Sequence, residues 1–382
     1  MLYLDVAMPT ALLIVVCVAM LLNKRVGGRL QSTVEEKEFK PRDVVLLVIF
    51  MAIIISAIAY TSVVNPSAVF QNVLLVFFLS SYTVLLFTFS YVFSNLPKIR
   101  AQWFSVGFGV AGLITGFACL SGPLQDAFTV YRVIAFFGLA AFCFGAAVYA
   151  QKKTSLKERW YVAVQPPAIF VLLFVFFNFI HNAGTSAVWT PYLMDVFGLT
   201  FAILIILYLS SLFSWKTVGL FAVLLTAMDI TLVIGTGTMV QAANQFTGLG
   251  LPVLVYLPNI PTIVSAQGEI LFRGLGLGDF FFAGVLAIQT FNRFGRKTAL
   301  ISVAAMAVAF GIWEAALEDI LAWLQPIVGR NIGGFPGTVM IISGWAPVIA
   351  WKLLSERSKL SKVPIAKEPL VSPPKEQSFP IE

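Results

Sequence analysis

Residues 272–288 read FRGLGLGDFFFAGVLAI, and residues 224–235 read LLTAMDITLVIG. Each is an apolar run interrupted by a single carboxylate, Asp279 in the first and Asp229 in the second. An ionised aspartate at the centre of a membrane helix costs about 2.5–3.5 kcal/mol by the lower estimates, so such residues face a cavity or a partner and mark function. Gly274, Gly276 and Gly278 lower helix propensity just before Asp279. They permit an irregular backbone there, which a membrane tolerates only inside protein or against water.

The surrounding chain has 382 residues, 59% of them hydrophobic and only 11% charged, with a mean hydropathy of +0.91. Soluble domains carry roughly a quarter charged residues, so the composition specifies an integral membrane protein with the lipid bilayer as its partner. Alternating ten-residue strands, the mark of a membrane barrel, are absent. Runs of roughly 20 apolar residues match an about 30 Å hydrocarbon core, and about eleven are present. They fall at 4–22, 43–64, 69–93, 103–121, 130–150, 160–181, 192–213, 215–235, 275–292, 298–322 and 335–354. The expected fold is a polytopic all-α bundle.

The net charge of +7 is not a nucleic-acid footprint, because the cations gather in alternate loops. They stand at Lys24 to Arg42, Lys98 and Arg100, Lys152 to Arg159, Arg293 to Lys297, and Lys352 with the tail. The positive-inside bias therefore expects the N-terminus outside and the C-terminus in the cytoplasm. Cys17, Cys119 and Cys143 lie in apolar spans without a CxxC pair and read as packing residues. The single His181 makes a histidine-based metal site or triad unsuited to this chain. Asp195 and the group Glu314, Glu318 and Asp319 read as solvated span ends, and Trp103, Trp160, Trp215 and Trp351 as interfacial anchors.

The chain divides into 1–66, two N-terminal spans with a charged loop; 67–214, scaffold spans; 215–354, which holds nearly all the unusual chemistry; and 355–382. That tail is rich in Lys, Glu and Pro and is expected to be disordered. Segment 236–274 mixes a short amphipathic stretch with the LPVLVYLP run, which is too short to cross as a helix and is compatible with a strand.

Asp229 lies about 21 Å into a span entered near Trp215, at about 1.5 Å per residue. Asp279 lies about 6 Å into a span entered from the opposite side near Leu275, so antiparallel neighbours bring both carboxylates into the outer half of the membrane. Gly276, Asp279 and Ala283 share one helix face, and small residues allow close helix approach. Two carboxyls at close range share a proton. One then takes a proton from water while the other donates to an amide, the logic of aspartic proteases, which needs no metal, cofactor or covalent nucleophile. The same pair suits a proton- or cation-coupled transporter, and a scaffold without catalysis is a third reading.

Residues 215–354 resemble the presenilin and signal peptide peptidase family of intramembrane aspartyl proteases. LGLGDFFFAGVL at 275–286 is similar to the family's GxGD helix, and MVQAANQFTGLGLPVLVYLP at 239–258 looks like the segment after its first catalytic helix. The resemblance implies catalytic roles for Asp229 and Asp279 on the sixth and seventh of nine core spans. It implies that Gly276, Leu277, Gly278, Pro336, Gly337, Leu251 and Pro252 hold an unwound transmembrane substrate. Two motifs depart from the pattern: Met228 stands where the family has tyrosine, and Pro336-Gly337-Thr338 where it has Pro-Ala-Leu. Counted back from Asp229, the nine-span core begins near Val69. The implied orientation is that of signal peptide peptidases, with substrates that enter the membrane N-terminus inside, such as signal-anchor remnants.

Overall fold

A computed structural model describes residues 5–33, 38–64, 68–94, 96–121, 129–152, 160–179, 188–262, 270, 272–330 and 332–360. Eight helices precede a short amphipathic one: α1 (Ala7–Thr33), α2 (Pro41–Val64), α3 (Ala68–Phe93), α4 (Lys98–Ser121), α5 (Thr129–Lys152), α6 (Trp160–Asn178), α7 (Trp189–Ser210) and α8 (Trp215–Thr236). Then come α9 (Thr238–Gly248), strands β1 (Leu254–Pro258) and β2 (Phe272–Gly276), α10 (Leu277–Phe294), α11 (Arg296–Ala315), α12 (Leu317–Val328) and α13 (Gly337–Leu360). The chain is a polytopic all-α membrane protein with one two-stranded sheet among the described residues.

Ten described helices are long and apolar enough to cross a bilayer, one fewer than the sequence count. The exception is α10, whose polar Asp279, Gln289, Asn292 and Arg293 dilute its apolar residues. Every residue from Phe280 to Thr290 is buried. The helix packs on α1, α7, α8, α11 and α13, so it is surrounded by protein, where hydropathy is a weak guide. Its fit depends on small residues: a Cβ at Gly284 would stand 2.5 Å from Ile206 of α7. Gln289 fastens its C-terminal half by donating to Ser210 O and Phe213 O at 2.9 and 2.6 Å.

The span expected at 298–322 divides into α11 and the amphipathic α12, which has no buried residue. The segment after Ser355 continues α13 to Leu360; the rest of the expected tail lies outside the described residues, as does His181. Trp103, Trp160 and Trp351 are exposed, whereas Trp215 is a packing residue, its ring 5.0 Å from Phe294 and 6.2 Å from Trp345. Cys17, Cys119 and Cys143 are free thiols.

The two N-terminal spans do not stand apart from the rest. Helix α1 lies on α7, α10 and α11, and α2 lies on α8 and α9. The pair that stands apart is α4 and α5, whose main contacts are with each other. Gly112 of α4 abuts Phe136 O and Ala140 of α5, a seam where a Cβ would meet backbone at 3.2 Å.

Candidate functional site

Asp229 sits on the buried stripe of α8, in register with Val218, Ala222 and Leu225. The helix starts with Ser214, whose side chain accepts from Thr217 N in a capping box. The Phe221 ring on the same stripe packs 5.7 Å from Phe281 and 6.3 Å from Phe282 of α10, contacts worth about 0.5–1.5 kcal/mol each beyond burial. They fix the two aspartate helices side by side. The last turn of α8 widens to a π-helix over Thr231–Thr236, leaving carbonyls exposed that a regular helix end also leaves orphaned. Arg330 caps them, donating to Val233 O at 3.0 Å and Ile234 O at 2.5 Å. Gly237 follows in the left-handed region, against the same guanidinium.

Asp279 is placed by the turn from β2 into α10. Gly276 is the N-cap and Asp279 lies in the first helical turn, where the helix dipole favours a carboxylate. The Gly276 backbone hydrogen-bonds it, the reach-back of a third-position carboxylate in a capping box. Adjacent residues of one further helix, Thr338 and Gly337, touch Asp229 and Asp279 respectively, which brings the two carboxylates to one place. Both line one cavity of about 390 Å³, with Asp229 buried and Asp279 partly buried.

The third element is the start of α13. Thr338 of this helix donates twice to Asp229 Oδ2, from its hydroxyl at 2.7 Å and its backbone N–H at 3.3 Å. Gly337 abuts Asp279 so closely that a Cβ there would stand 2.6 Å from the carboxyl carbon. A side chain at this point would have to displace the Asp279 carboxyl.

Strands β1 and β2 pair antiparallel, Leu254 opposite Gly276 and Tyr256 opposite Gly274. Leu277 N donates to Val253 O at 2.9 Å, which makes Val255/Leu275 and Leu257/Arg273 the mutually bonded pairs. The backbone groups of Leu254, Tyr256, Gly274 and Gly276 therefore point away from the ladder. On β1, Asp195 of α7 occupies that outer edge, accepting from Tyr256 N at 2.6 Å. On β2, Gly274 and Gly276 border the cavity. The Tyr256 ring covers Gly274, where a Cβ would meet it at 2.8 Å.

Of the residues expected to hold substrate, Gly276, Gly278 and Gly337 line the cavity. Leu277, Leu251, Pro252 and Pro336 are buried beside it and do not line it. Leu251 and Pro252 belong to a fixed turn instead: Trp189 donates to Gly250 O at 2.7 Å, Asn178 to Leu249 O at 3.3 Å and Tyr82 to Pro252 O at 3.3 Å. The turn anchors β1. Met51 of α2, Tyr256, Phe335 and Thr338 also line the cavity; sequence reasoning did not single out any of them as a site residue. Thr338 was visible only as the last member of a degenerate motif.

Two carboxylates expected in solvent are buried. Asp195 is the β1 edge ligand just described. Glu314 pairs with Arg273 of β2 at 3.3 Å, tying the sheet to the end of α11. Asp5 completes the rim, accepting from Ala7 N at 3.0 Å and Ile260 N at 2.9 Å. This chain matches no family profile, no curated protein and no solved structure.

Proposed function

We propose that this chain is an intramembrane aspartyl protease of the presenilin and signal peptide peptidase type, cleaving transmembrane segments through Asp229, Asp279 and a water molecule. The observation that carries the reading is the convergence of three separate elements on one cavity: α8 brings Asp229, α10 brings Asp279, and α13 closes on both through Gly337 and Thr338. A helical substrate hides its amides in hydrogen bonds, so a protease of helices must hold its substrate extended. The outward edge of Gly274 offers backbone groups for strand addition shortly before Asp279. Asp195 blocks the opposite edge, on LPVLVYLP, which directs an incoming strand to the catalytic side. A simple ion site has no use for such an edge.

Packing suggests how the nine-span core is drawn. Helices α1, α2, α3, α6, α7, α8, α10, α11 and α13 form a connected bundle around α10, with Asp229 on the sixth and Asp279 on the seventh. The additional pair is then the peripheral α4–α5 hairpin, not the N-terminus. Removing two consecutive spans preserves the orientation of everything after them, so the charge pattern keeps its meaning. The N-terminus is outside, the C-terminus is cytoplasmic, and substrates run N-terminus inside.

The test is cleavage of a model transmembrane peptide by purified protein in lipid. Wild type is expected to cut it, a hydroxyl-bearing transition-state mimic to block the cut, and Asp229→Asn or Asp279→Asn to abolish it. Ion-coupled uptake into vesicles without any cleavage would overturn the assignment.

A further inference from the structure

Thr338 is the residue with which the two carboxylates are told apart. Its hydroxyl and its backbone N–H converge on a single oxygen, Oδ2 of Asp229, at 2.7 and 3.3 Å. Thr338 is only 4% exposed. Two donors on one oxygen suit an ionised carboxylate, which only accepts. No protein donor among the described residues takes the other oxygen, and the carboxylate lines the cavity. Asp279 has a different neighbourhood, with the Gly276 backbone on one side and the Cα of Gly337 on the other. Next to Asp229, Met228 carries no hydroxyl and also lines the cavity.

We infer that Thr338 is a positioning residue that fixes Asp229 as the base and leaves Asp279 as the proton-bearing acid, supplying from α13 the hydroxyl that position 228 lacks. This deepens the protease reading and rests on it. In the first step the water oxygen bonds to the scissile carbonyl carbon. Its proton passes to Asp229 Oδ1, and the Asp279 proton passes to the carbonyl oxygen, giving a neutral gem-diol. In the second step the C–N bond breaks. Asp229 returns its proton to the departing nitrogen and Asp279 takes one from the diol. The starting protonation states are restored with no other reactant.

The experiment compares Thr338→Val, Thr338→Ser and Thr338→Val with Met228→Tyr against wild type, in the full chain reconstituted in lipid. A hydrogen bond to a charged group corresponds to about a tenfold to hundredfold effect. Thr338→Val is expected to lower kcat by that factor with KM unchanged. Thr338→Ser restores the rate, and so, from the other side of the carboxylate, does Met228→Tyr. Infrared difference spectra supply a readout without turnover: the protonated-carboxyl band disappears in Asp279→Asn and persists in Asp229→Asn. If wild type cleaves and Thr338→Val matches it in kcat, the inference fails while the protease reading stands. A band lost in Asp229→Asn and kept in Asp279→Asn overturns the inference with or without cleavage. If wild type cuts nothing, the protease reading fails, and the inference stands only if the band lost in Asp279→Asn is also shifted by Thr338→Val; an unshifted band overturns it.

Discussion

At the scale of single residues, the two aspartates are fixed by different means: one by hydrogen bonds from a neighbouring helix, the other by contact with a backbone that has no side chain. Gly337→Ala inserts a methyl 2.6 Å from the Asp279 carboxyl carbon. A displacement of about 1 Å at a reacting group costs on the order of a hundredfold in rate. Gly337→Ala is therefore expected to lose about two orders of magnitude in peptide cleavage while the purified protein keeps its thermal midpoint within a few degrees. Full activity in this variant would contradict the proposed role of this close approach. The aspartates themselves were legible in the sequence because each carries a cost that apolar neighbours cannot offset. Thr338 was not, since threonine at a span entrance costs little and its partner lies 109 positions away. Asp195 and Glu314 were misread for a related reason: depth along a span says nothing about which backbone or cation faces the carboxylate.

Helices and strands add a second level. LPVLVYLP was readable as a possible strand from Val253, Val255 and Tyr256, but its partner, Phe272–Gly276, straddles the boundary between segment 236–274 and the span begun at 275, and its glycines read only as irregular backbone. Glycine there serves edge backbone and the Tyr256 ring, and neither requirement leaves a periodic signature. Asp195→Ala removes the acceptor for Tyr256 N, a bond worth about 1.5–3 kcal/mol to a charged group. The Tyr256 amide is expected to exchange about tenfold to a hundredfold faster with solvent deuterium, with α10 amides unchanged. Equal protection in both proteins would mean that the β1 edge is held by something else. Arg273→Leu leaves Glu314 buried without its cation, which costs about 3–5 kcal/mol when one member of a buried pair is removed. Loss of thermal stability in Arg273→Leu is expected to be largely relieved by adding Glu314→Gln. No relief in the double variant would contradict the pairing.

Across the whole molecule, apolar runs marked the helices of the bundle, α10 being the one too polar to pass as a span by length and composition alone and 298–322 the one that divides in two. Hydropathy could not tell central spans from peripheral ones, because apolar residues look alike whether they cover an aspartate helix or lie at the edge of the bundle. The proposed distinction rests on packing, with α1 and α2 against the aspartate helices and α4 and α5 against each other. Two experiments belong at this scale. Deleting 95–159 with a short linker is expected to leave a folded, active protein, whereas deleting 1–66 removes Met51 from the cavity wall and abolishes activity. The reverse result would return the additional pair to the N-terminus. Protease-accessible tags are expected on the cytoplasmic side at the C-terminus and on the outer side within 263–269, and an external C-terminal tag would overturn the proposed substrate orientation.

The central claim is that Asp229 and Asp279 act as one unit on a peptide bond, and a double-mutant rate comparison tests it most directly. General acid–base groups contribute about a hundredfold to ten-thousandfold each, and members of one catalytic unit are non-additive. Asp229→Asn, Asp279→Asn and the double variant are expected to cut a transmembrane peptide at the same background rate, each at least about a hundredfold below wild type. Effects that multiply in the double variant, or cleavage within a few-fold of wild type in either single variant, would contradict the account.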